Sequence, residues 1–476
     1  MSEESTPLLA GQPKRSTWRY YLLEVIVFLF CAAHSIGDLT SYQYVYTSVA
    51  SALNYTEDKN STNDKECIAN KSYPNYVLEQ KVAKEAAMYQ LYFGLAAGIP
   101  GVLACVIFGT YSDKIGRRFM MVISMVGIGG RAAVYVGVCH WNLSLYYLYI
   151  GYAVEGISGS LPTMVLGIMA YSADISAVGK ARTLRLVVVN AVGGLATAAA
   201  YVISGYTIVW LGYDYTFAVV VGTFLVACIL ILFLPESRQG QGMEDMTFRQ
   251  YLYRAVKFYF EGSRTNPNRY FYIFSMLAFT CAIIINNCIF GTETLFMLNS
   301  PLCWMSVKIG DFGAAKQTFE RVLGVSLIAL LLRCCREHTI IVVIGILYIS
   351  SLSVEAFATN DMFMIIAAGL GVGSPSFSTV IRSVLSGNTD KDHQESSGMF
   401  DDWNVNLCYN AKFQDSLENS KHTQLCSSIF TATGTILLSA IYEWTVELMP
   451  GGVFLVMAGI ILLAMAFMGY VESLKW

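Results

Sequence analysis

Long apolar runs separated by short polar links dominate the 476-residue chain. A membrane-spanning helix needs about 20 predominantly apolar residues, and twelve runs reach that length. We number them spans 1 to 12: residues 20–46, 86–110, 119–139, 144–171, 186–209, 214–234, 269–297, 309–332, 339–358, 362–385, 425–446 and 451–471. The pattern predicts an all-α polytopic membrane protein whose two termini lie on the same side.

The basic residues of the links are concentrated on one side of this arrangement, and Lys and Arg collect on the cytoplasmic side of membrane proteins. The links after even-numbered spans hold Lys114, Arg117, Arg118, Lys180, Arg182, Arg333 and Arg336, and the central segment 235–268 adds Arg238, Arg249, Arg254, Lys257 and Arg264. This asymmetry predicts that the central segment and the tails, 1–19 and 472–476, are cytoplasmic. The central segment divides residues 20–234 from 269–471, which indicates two pseudo-symmetric bundles of six helices.

Composition supports the membrane prediction and excludes other classes of protein. Hydrophobic residues make up 55% of the chain and charged residues 14%, which lies outside the range of soluble globular proteins. The net charge of -3 is small for the length, so lipid rather than nucleic acid is the expected partner. The spans show no nucleophile–base pair and no metal-ligand spacing, so we expect neither an enzyme nor a metal site.

The first link on the non-cytoplasmic side, residues 47–85, is long and polar. It holds N-glycosylation sequons at Asn54, Asn60 and Asn70. It also holds Cys67, and Cys303 lies on the same face in the link between spans 7 and 8. Oxidising compartments favour disulfides, so these two cysteines could pair across the two halves; two free thiols are the alternative.

The N-terminal tail contains an acidic dileucine pattern made by Glu4, Leu8 and Leu9. Clathrin adaptors bind this pattern in endosomal and lysosomal sorting, although it also arises by chance. A working motif predicts a lysosomal or endosomal membrane, and a chance match leaves the plasma membrane as the location.

The link between spans 2 and 3 is short and strongly basic, and it runs from Gly109 to Arg118. Glycine lets the chain reverse and lets helices approach closely, and Asp113 stands four residues before Arg117, the spacing at which opposite charges pair. The pattern Gly-x-x-Ser-Asp-x-x-Gly-Arg-Arg resembles the signature loop of the major facilitator superfamily. The resemblance implies a conformational latch formed by Gly109, Asp113, Gly116, Arg117 and Arg118. A basic turn that only fixes the topology is the alternative.

Four further stretches sharpen this resemblance: Gly37–Tyr46, Arg182–Arg185, Ser300–Trp304 and Val380–Ser386. Together they resemble the proton-coupled folate transporter family, solute carrier family 46. The resemblance implies the twelve-helix major facilitator fold and a secondary active transporter. Such a transporter moves a small organic anion, folate-like or a lysosomal metabolite, by alternating access. It also implies the proton as coupling ion and no other cofactor.

Ionisable residues inside the spans are costly and are therefore functional candidates. His34 and Asp38 lie four apart on one face of span 1, and histidine titrates near physiological pH. Glu155 lies among small residues of span 4, where helices pack closely. These three are the candidates for proton coupling, with interhelical hydrogen bonding as their alternative role. The charged residues at the start of span 8 are interpreted as a structural network near the luminal mouth: Asp311, Lys316, Glu320 and Arg321.

The resemblance places the substrate site on polar residues of spans 1, 5, 7 and 10. Arg382 matches a functional arginine of the family and offers a planar donor fork to an anion; snorkelling at the end of span 10 is its alternative role. Asn190, Asn286 and Tyr44 would line the polar cavity. In the family, span 5 carries an acidic proton-coupling residue and span 7 a histidine, whereas asparagine does not titrate. A receptor-like or scaffold protein that keeps the fold without robust transport is therefore the alternative function.

A polar, non-periodic stretch at residues 401–424 precedes span 11 and has no place in the pattern. A cytoplasmic insert and a retained intron are both compatible with the sequence.

Overall fold

The computed structural model describes residues 18–54, 74–176, 180–237, 269–335, 337–387, 434, 437–446 and 449–473. Within these ranges the regular structure is entirely helical. The predicted insert at 401–424 and the predicted sorting motif of Glu4, Leu8 and Leu9 lie outside the described residues.

The helices follow the predicted spans in order. Span 1 is Trp18–Ala52, span 2 is Pro74–Ile115, span 3 is Arg117–His140, span 7 is Arg269–Leu298, span 8 is Ser306–Cys334, span 9 is Glu337–Ala356 and span 12 is Gly452–Ser473. Span 4 consists of Leu148–Ile157 and Ser160–Ile175, span 10 consists of Asp361–Leu370 and Ser374–Gly387, and spans 5 and 6 share Lys180–Phe233. Residues 437–445 of span 11 are helical. Nine stretches of the described chain are long and apolar enough to cross a membrane, and one of them, Val188–Phe233, holds two spans.

The polar link predicted over residues 47–85 is too long. Span 1 continues to Ala52, and span 2 begins at Pro74. The segment before residue 86 looks polar in the sequence because it contains charged residues such as Lys81 and Glu85. In the structure these two residues, four apart, form a pair on the outer side of the helix. Val82 and Ala83 on the opposite side of the same turns are fully buried, so the start of span 2 is an amphipathic helix that packs on the core.

Successive helices run in opposite directions, so the links fall on two faces of the bundle. We call the face with the start of span 1 and the link at Gly116 the terminal face. The opposite face, with the end of span 1 and the link from Asn299 to Met305, is called the far face.

Spans 4 and 10 are interrupted helices. The break in span 4 lies at Ser158 and Gly159, and the break in span 10 at Gly371–Gly373. Gly159 and Gly373 have φ angles of 86° and 93°, a backbone conformation that glycine adopts without steric cost. Each of these spans is the fourth of its bundle of six, so the two interruptions occupy corresponding places in the two halves.

Within the described residues, the two halves meet mainly along spans 1 and 7 and along spans 5 and 8. The span 5 and span 8 backbones are in direct contact toward the far face. A Cβ atom added to Gly310 would lie 2.5 Å from the carbonyl oxygen of Tyr201, and one added to Gly205 would lie 2.8 Å from that of Ser306. Neither position has room for a side chain. Gln80 of span 2 and Asn299 also exchange amide hydrogen bonds of 3.2 and 3.3 Å on this face.

Candidate functional site

A charged cluster joins spans 1, 3 and 4 of the first half, in which Arg131 and Glu155 are buried and His34 and Asp38 are partly exposed. Arg131 of span 3 donates to Asp38 Oδ1 at 2.5 Å, and its Nη1 lies 3.1 Å from Glu155 Oε2. His34 Nδ1 lies 3.1 Å from the other oxygen of Asp38. The structure therefore brings together the three residues predicted for proton coupling. Arg131, which links them, was not predicted from the sequence, although an arginine inside an apolar span is itself a signal.

The interruption of span 4 helps to position Glu155. Ser160, the first residue after the break, donates its hydroxyl to Glu155 Oε1 at 2.8 Å. The Arg131 guanidinium lies 5.2 Å from the centre of the Tyr152 ring, a cation–π arrangement. One guanidinium thus faces two carboxylates, and a proton on His34 or on a carboxylate would balance the charge of this first cluster.

A second buried cluster joins spans 7, 8 and 9 of the other half. The Lys316 ammonium contacts Glu293, lies 2.8 Å from Glu355 and 3.8 Å from Glu320. All four side chains are at most 9% exposed, and Glu355 is fully buried. Glu293 and Glu355 were missed in the sequence, although each is a carboxylate inside an apolar span.

The position of this second cluster corrects the prediction of a structural network at the luminal mouth. Lys316 stands ten residues after the start of span 8 at Ser306, which is about 15 Å along the helix at 1.5 Å per residue. Asp311, predicted to belong to the same network, is exposed. The second cluster is therefore an internal feature of the bundle rather than a feature of its mouth.

Arg321 points away from the second cluster toward the first half. Its side chain is exposed, and its Nε donates to Gln317 at 3.2 Å. A Cβ atom added to Gly194 of span 5 would lie 3.0 Å from Arg321 Cδ and 3.2 Å from Nη1. An exposed guanidinium halfway along a membrane helix indicates a water-filled space rather than lipid. Arg321 therefore lies at the seam between the two halves, beside span 5.

The predicted substrate residues have different surroundings. Asn190 is exposed one helical turn before Gly194, and its amide donates to the carbonyl of Leu186 at 3.0 Å. Asn286 donates to Ser378 at 3.1 Å and accepts from Tyr348 at 3.4 Å. These two bonds tie span 7 to spans 10 and 9.

Tyr44 belongs to an aromatic group of the first half, with ring centres 5.5 Å from Tyr213 and 6.1 Å from Tyr135. Arg382 lies in the second helix of span 10, but its side chain is outside the described part of the structure. The described contacts thus place Asn190 near Arg321 and place Asn286 and Tyr44 in two separate packing environments.

The link between spans 2 and 3 is held by the end of span 6. Gly116, with a φ angle of 98°, precedes span 3, and Glu236 accepts backbone N–H bonds from Arg117 at 2.8 Å and Arg118 at 3.3 Å. The Arg117 guanidinium lies 3.5 Å from Asp174 of span 4. A carboxylate at a helix N-terminus also interacts favourably with the helix dipole. Glu236 and Asp174 were not predicted, and the Asp113 side chain is outside the described part, so the latch stays a prediction.

Residues 72–389 match the family model of the Major Facilitator Superfamily. The chain belongs to the major facilitator superfamily. The human lysosomal proton-coupled steroid conjugate and bile acid symporter is 26% identical over 472 residues, which cover 95% of each chain. The rat proton-coupled folate transporter is 25% identical over 459 residues, which cover 95% of this chain and 92% of that protein. The resemblance to solute carrier family 46 is thereby confirmed.

Solved structures show the same superfamily fold. The human organic anion transporter MFSD10 aligns with a TM-score of 0.58 and 13% identity, covering 96% of this chain and all of that one. The nucleoside transporter NupG aligns with a TM-score of 0.59 and 14% identity, covering 95% and 99%. The predicted fold class is confirmed, and this superfamily member is a multi-pass membrane protein of a transporter family and not an enzyme.

Removing the carboxylate of Glu236 is expected to weaken the start of span 3 in this superfamily member. The variant Glu236→Ala leaves the N–H of the buried Arg117 without its acceptor, which should lower the free energy of unfolding by about 1–2 kcal/mol. Thermal unfolding of the purified protein in detergent measures the effect. Glu85→Ala is the matched control, because its exposed pair with Lys81 contributes little; equal unfolding temperatures for the two variants would contradict the capping role.

The predicted modification sites are only partly described. Asn54 is exposed at the far-face end of span 1, whereas Asn60, Asn70 and Cys67 lie outside the described residues. Cys303 is disulfide-bonded. Among the other cysteines that the structure describes, its partner is none of Cys31, Cys139, Cys228, Cys281, Cys288, Cys334 and Cys335. Pairing with Cys67 stays a prediction.

Proposed function

We propose that this protein is a secondary active transporter that moves a small organic anion by alternating access and couples this movement to protons. The observation that carries the proposal is Arg321, an exposed guanidinium beside Gly194 at the seam between the two halves. In alternating access the two halves rock against each other around a site between them, so a charged group at the seam meets the substrate.

The chemistry of Arg321 favours an anion. Guanidinium presents a rigid fork of donors that matches carboxylate, sulfate and phosphate groups. Glycine at residue 194 lets the Arg321 side chain lie directly against span 5, and the exposed Asn190 adds an amide one turn away. Arg382 is a further anion-binding candidate through the family resemblance. The related symporters are named for steroid conjugates, bile acids and folate, and we extend this class of organic anions to the present chain.

The first cluster supports proton coupling. Asp38 and Glu155 contact the Arg131 guanidinium and His34 contacts Asp38, so the charge of the cluster depends on whether a proton is bound. Buried ionisable groups that change their charge are how proton-coupled transporters relay protons.

The orientation follows from the positive links. With cytoplasmic termini, the far face is luminal, and the glycosylation sequons lie in the lumen. The backbone contacts at Gly205 and Gly310 then close the luminal side, so the structure corresponds to the state closed toward the lumen. The related lysosomal symporter and the dileucine pattern favour a lysosomal membrane.

Uptake into proteoliposomes tests the function. Purified full-length protein is assayed with radiolabelled folic acid, taurocholate and estrone sulfate, with and without an inward proton gradient. We expect saturable uptake of at least one probe, stimulated by the gradient. Absence of uptake of all three probes by correctly folded protein would favour a receptor-like role.

The variant Arg321→Gln tests the anion site in the same assay. Loss of a charge-assisted hydrogen bond of about 1.5–3 kcal/mol is expected to raise the KM for the transported probe about tenfold or more. Arg333→Gln is the matched control, since Arg333 is exposed in the last turn of the same helix. Equal KM values for the two variants would remove Arg321 from the substrate site.

A further inference from the structure

The second cluster carries more negative charge than its cation balances. Among the described residues, Lys316 is the single cation within 4.0 Å of the carboxylates of Glu293, Glu320 and Glu355. Three ionised carboxylates and one ammonium would leave two excess negative charges among side chains that are at most 9% exposed. Each unpaired buried ion costs several kcal/mol, so proton binding relieves a large penalty. We infer that this cluster binds an exchangeable proton, and that Glu320 and Glu355 are the two residues that can carry it. The inference rests on the proposed proton-coupled transport and assigns it a second site.

Geometry separates the three carboxylates. Glu293 is the contact partner of Lys316. Glu355 uses Oε1 for Lys316 at 2.8 Å, while its Oε2 is buried and has no hydrogen-bond partner among the described residues. A buried anionic oxygen without a donor is unfavourable, and a proton removes that charge. Glu320 is the farthest from Lys316, at 3.8 Å. Glu320 and Glu355, rather than Glu293, are therefore the carboxylates that can take up the proton.

The interrupted helices give independent support. A carboxylate oxygen of Glu320 lies 3.2 Å from the place where a Cβ of Gly371 would be, inside the break of span 10. Glu155 of the first cluster is likewise held at the break of span 4. Helices interrupted at corresponding places in two halves mark substrate and ion sites in transporters. The two clusters thus occupy corresponding positions in the two halves. They differ in charge, because span 3 contributes the cation Arg131 and the corresponding span 9 contributes the anion Glu355.

In the part of the chain that the structure describes, few other charged or titratable groups face the second cluster from the helices around it. Tyr348 of span 9 and Tyr201 of span 5 lie within electrostatic range of its carboxylates. Arg321 of span 8 follows Glu320 directly and interacts with its charge. Hence a proton on Glu320 would remove a nearby negative charge and strengthen the attraction of Arg321 for a substrate anion. Loss of the proton would restore that negative charge and weaken the attraction. Proton and anion would then bind together, as symport requires.

Infrared difference spectroscopy tests the proton site without a substrate. Purified full-length protein is compared at acidic and alkaline pH, and the carboxylic-acid C=O band of protonated Glu is followed in the wild type, Glu320→Gln, Glu355→Gln and the control Glu85→Gln. We expect a pH-dependent band that at least one of the first two variants loses and the control keeps. A band that is unchanged in both variants overturns the inference. If the glutamine variants do not fold, Glu320→Asp and Glu355→Asp are expected to shift the band. The absence of a shift in both aspartate variants would also overturn the inference.

Transport separates this inference from the proposed function. In proteoliposomes, Glu355→Gln is expected to lose accumulation of the transported probe driven by a proton gradient, whereas the control Glu85→Gln keeps it. Gradient-driven accumulation equal to the wild type would refute the role of Glu355 in coupling. Should the wild type transport no probe while the infrared band still depends on Glu320 or Glu355, the proposed function fails and the proton site stands.

Discussion

Replacing Arg131 by glutamine is expected to abolish transport and to lower the free energy of unfolding by about 3–5 kcal/mol. Arg131 is the cation that holds Asp38 of span 1 and Glu155 of span 4 to span 3. Without it, the buried Glu155 and the partly exposed Asp38 share a site that has lost its fixed positive charge. Proteoliposome uptake measures the first effect, and thermal unfolding in detergent measures the second.

A double variant separates charge balance from geometry. Arg131→Gln combined with Glu155→Gln removes one positive and one negative charge, so part of the lost stability should return while transport stays low. Arg333→Gln again serves as the control for removal of an arginine. If Arg131→Gln unfolds at the wild-type temperature, the first cluster does not stabilise the fold in the way its geometry indicates.

The variant Gly310→Leu is expected to reduce uptake by more than tenfold while the protein stays folded. A side chain at this position meets the Tyr201 carbonyl oxygen, 2.5 Å from the added Cβ, and backbone atoms have little freedom to move away. The two halves can then no longer close at the far face. A bias of about 5.5 kcal/mol reverses a two-state population from 99:1 to 1:99, and a steric conflict of this kind is of that order.

The control for this variant is Gly459→Leu, since no atom of the described residues lies within 4 Å of a Cβ added to Gly459. Opening of the far face can be followed through a cysteine introduced at Ser306, which should react with a membrane-impermeant maleimide faster in the Gly310→Leu background. Normal uptake by Gly310→Leu would show that the contact between spans 5 and 8 is not part of the transport cycle.

The spans could be predicted because a membrane imposes one length and one composition on every helix that crosses it. The pair of His34 and Asp38 was visible for a similar reason, since four residues make one helical turn. Such local regularities can be recognised from the order of the residues alone. The start of span 2 could not be predicted in this way, because an amphipathic turn beyond the apolar run resembles a polar link.

The charged clusters could not be assembled from the sequence. Arg131 and Asp38 are 93 residues apart along the chain, and Lys316 meets Glu355 across 39 residues. Which of several isolated charges become neighbours depends on the rotation and packing of whole helices, which helix periodicity does not determine. The individual candidates Asp38 and Glu155 could be chosen by their cost in a membrane, but their common partner could not.

Gly212 has a consequence for how the protein enters the membrane. Spans 5 and 6 are separated by this one non-helical residue, with a φ angle of 82° and a ψ angle of 176°. Such a tight connection leaves no hydrophilic segment to be moved across the bilayer after span 5. We expect the two spans to leave the translocon as a single helical hairpin, with exposed Trp210 and Tyr215 at the water interface. A nascent chain that ends between these spans would lack half of this insertion unit. We therefore expect chains that stop at this point of synthesis to be targets of membrane-protein quality control.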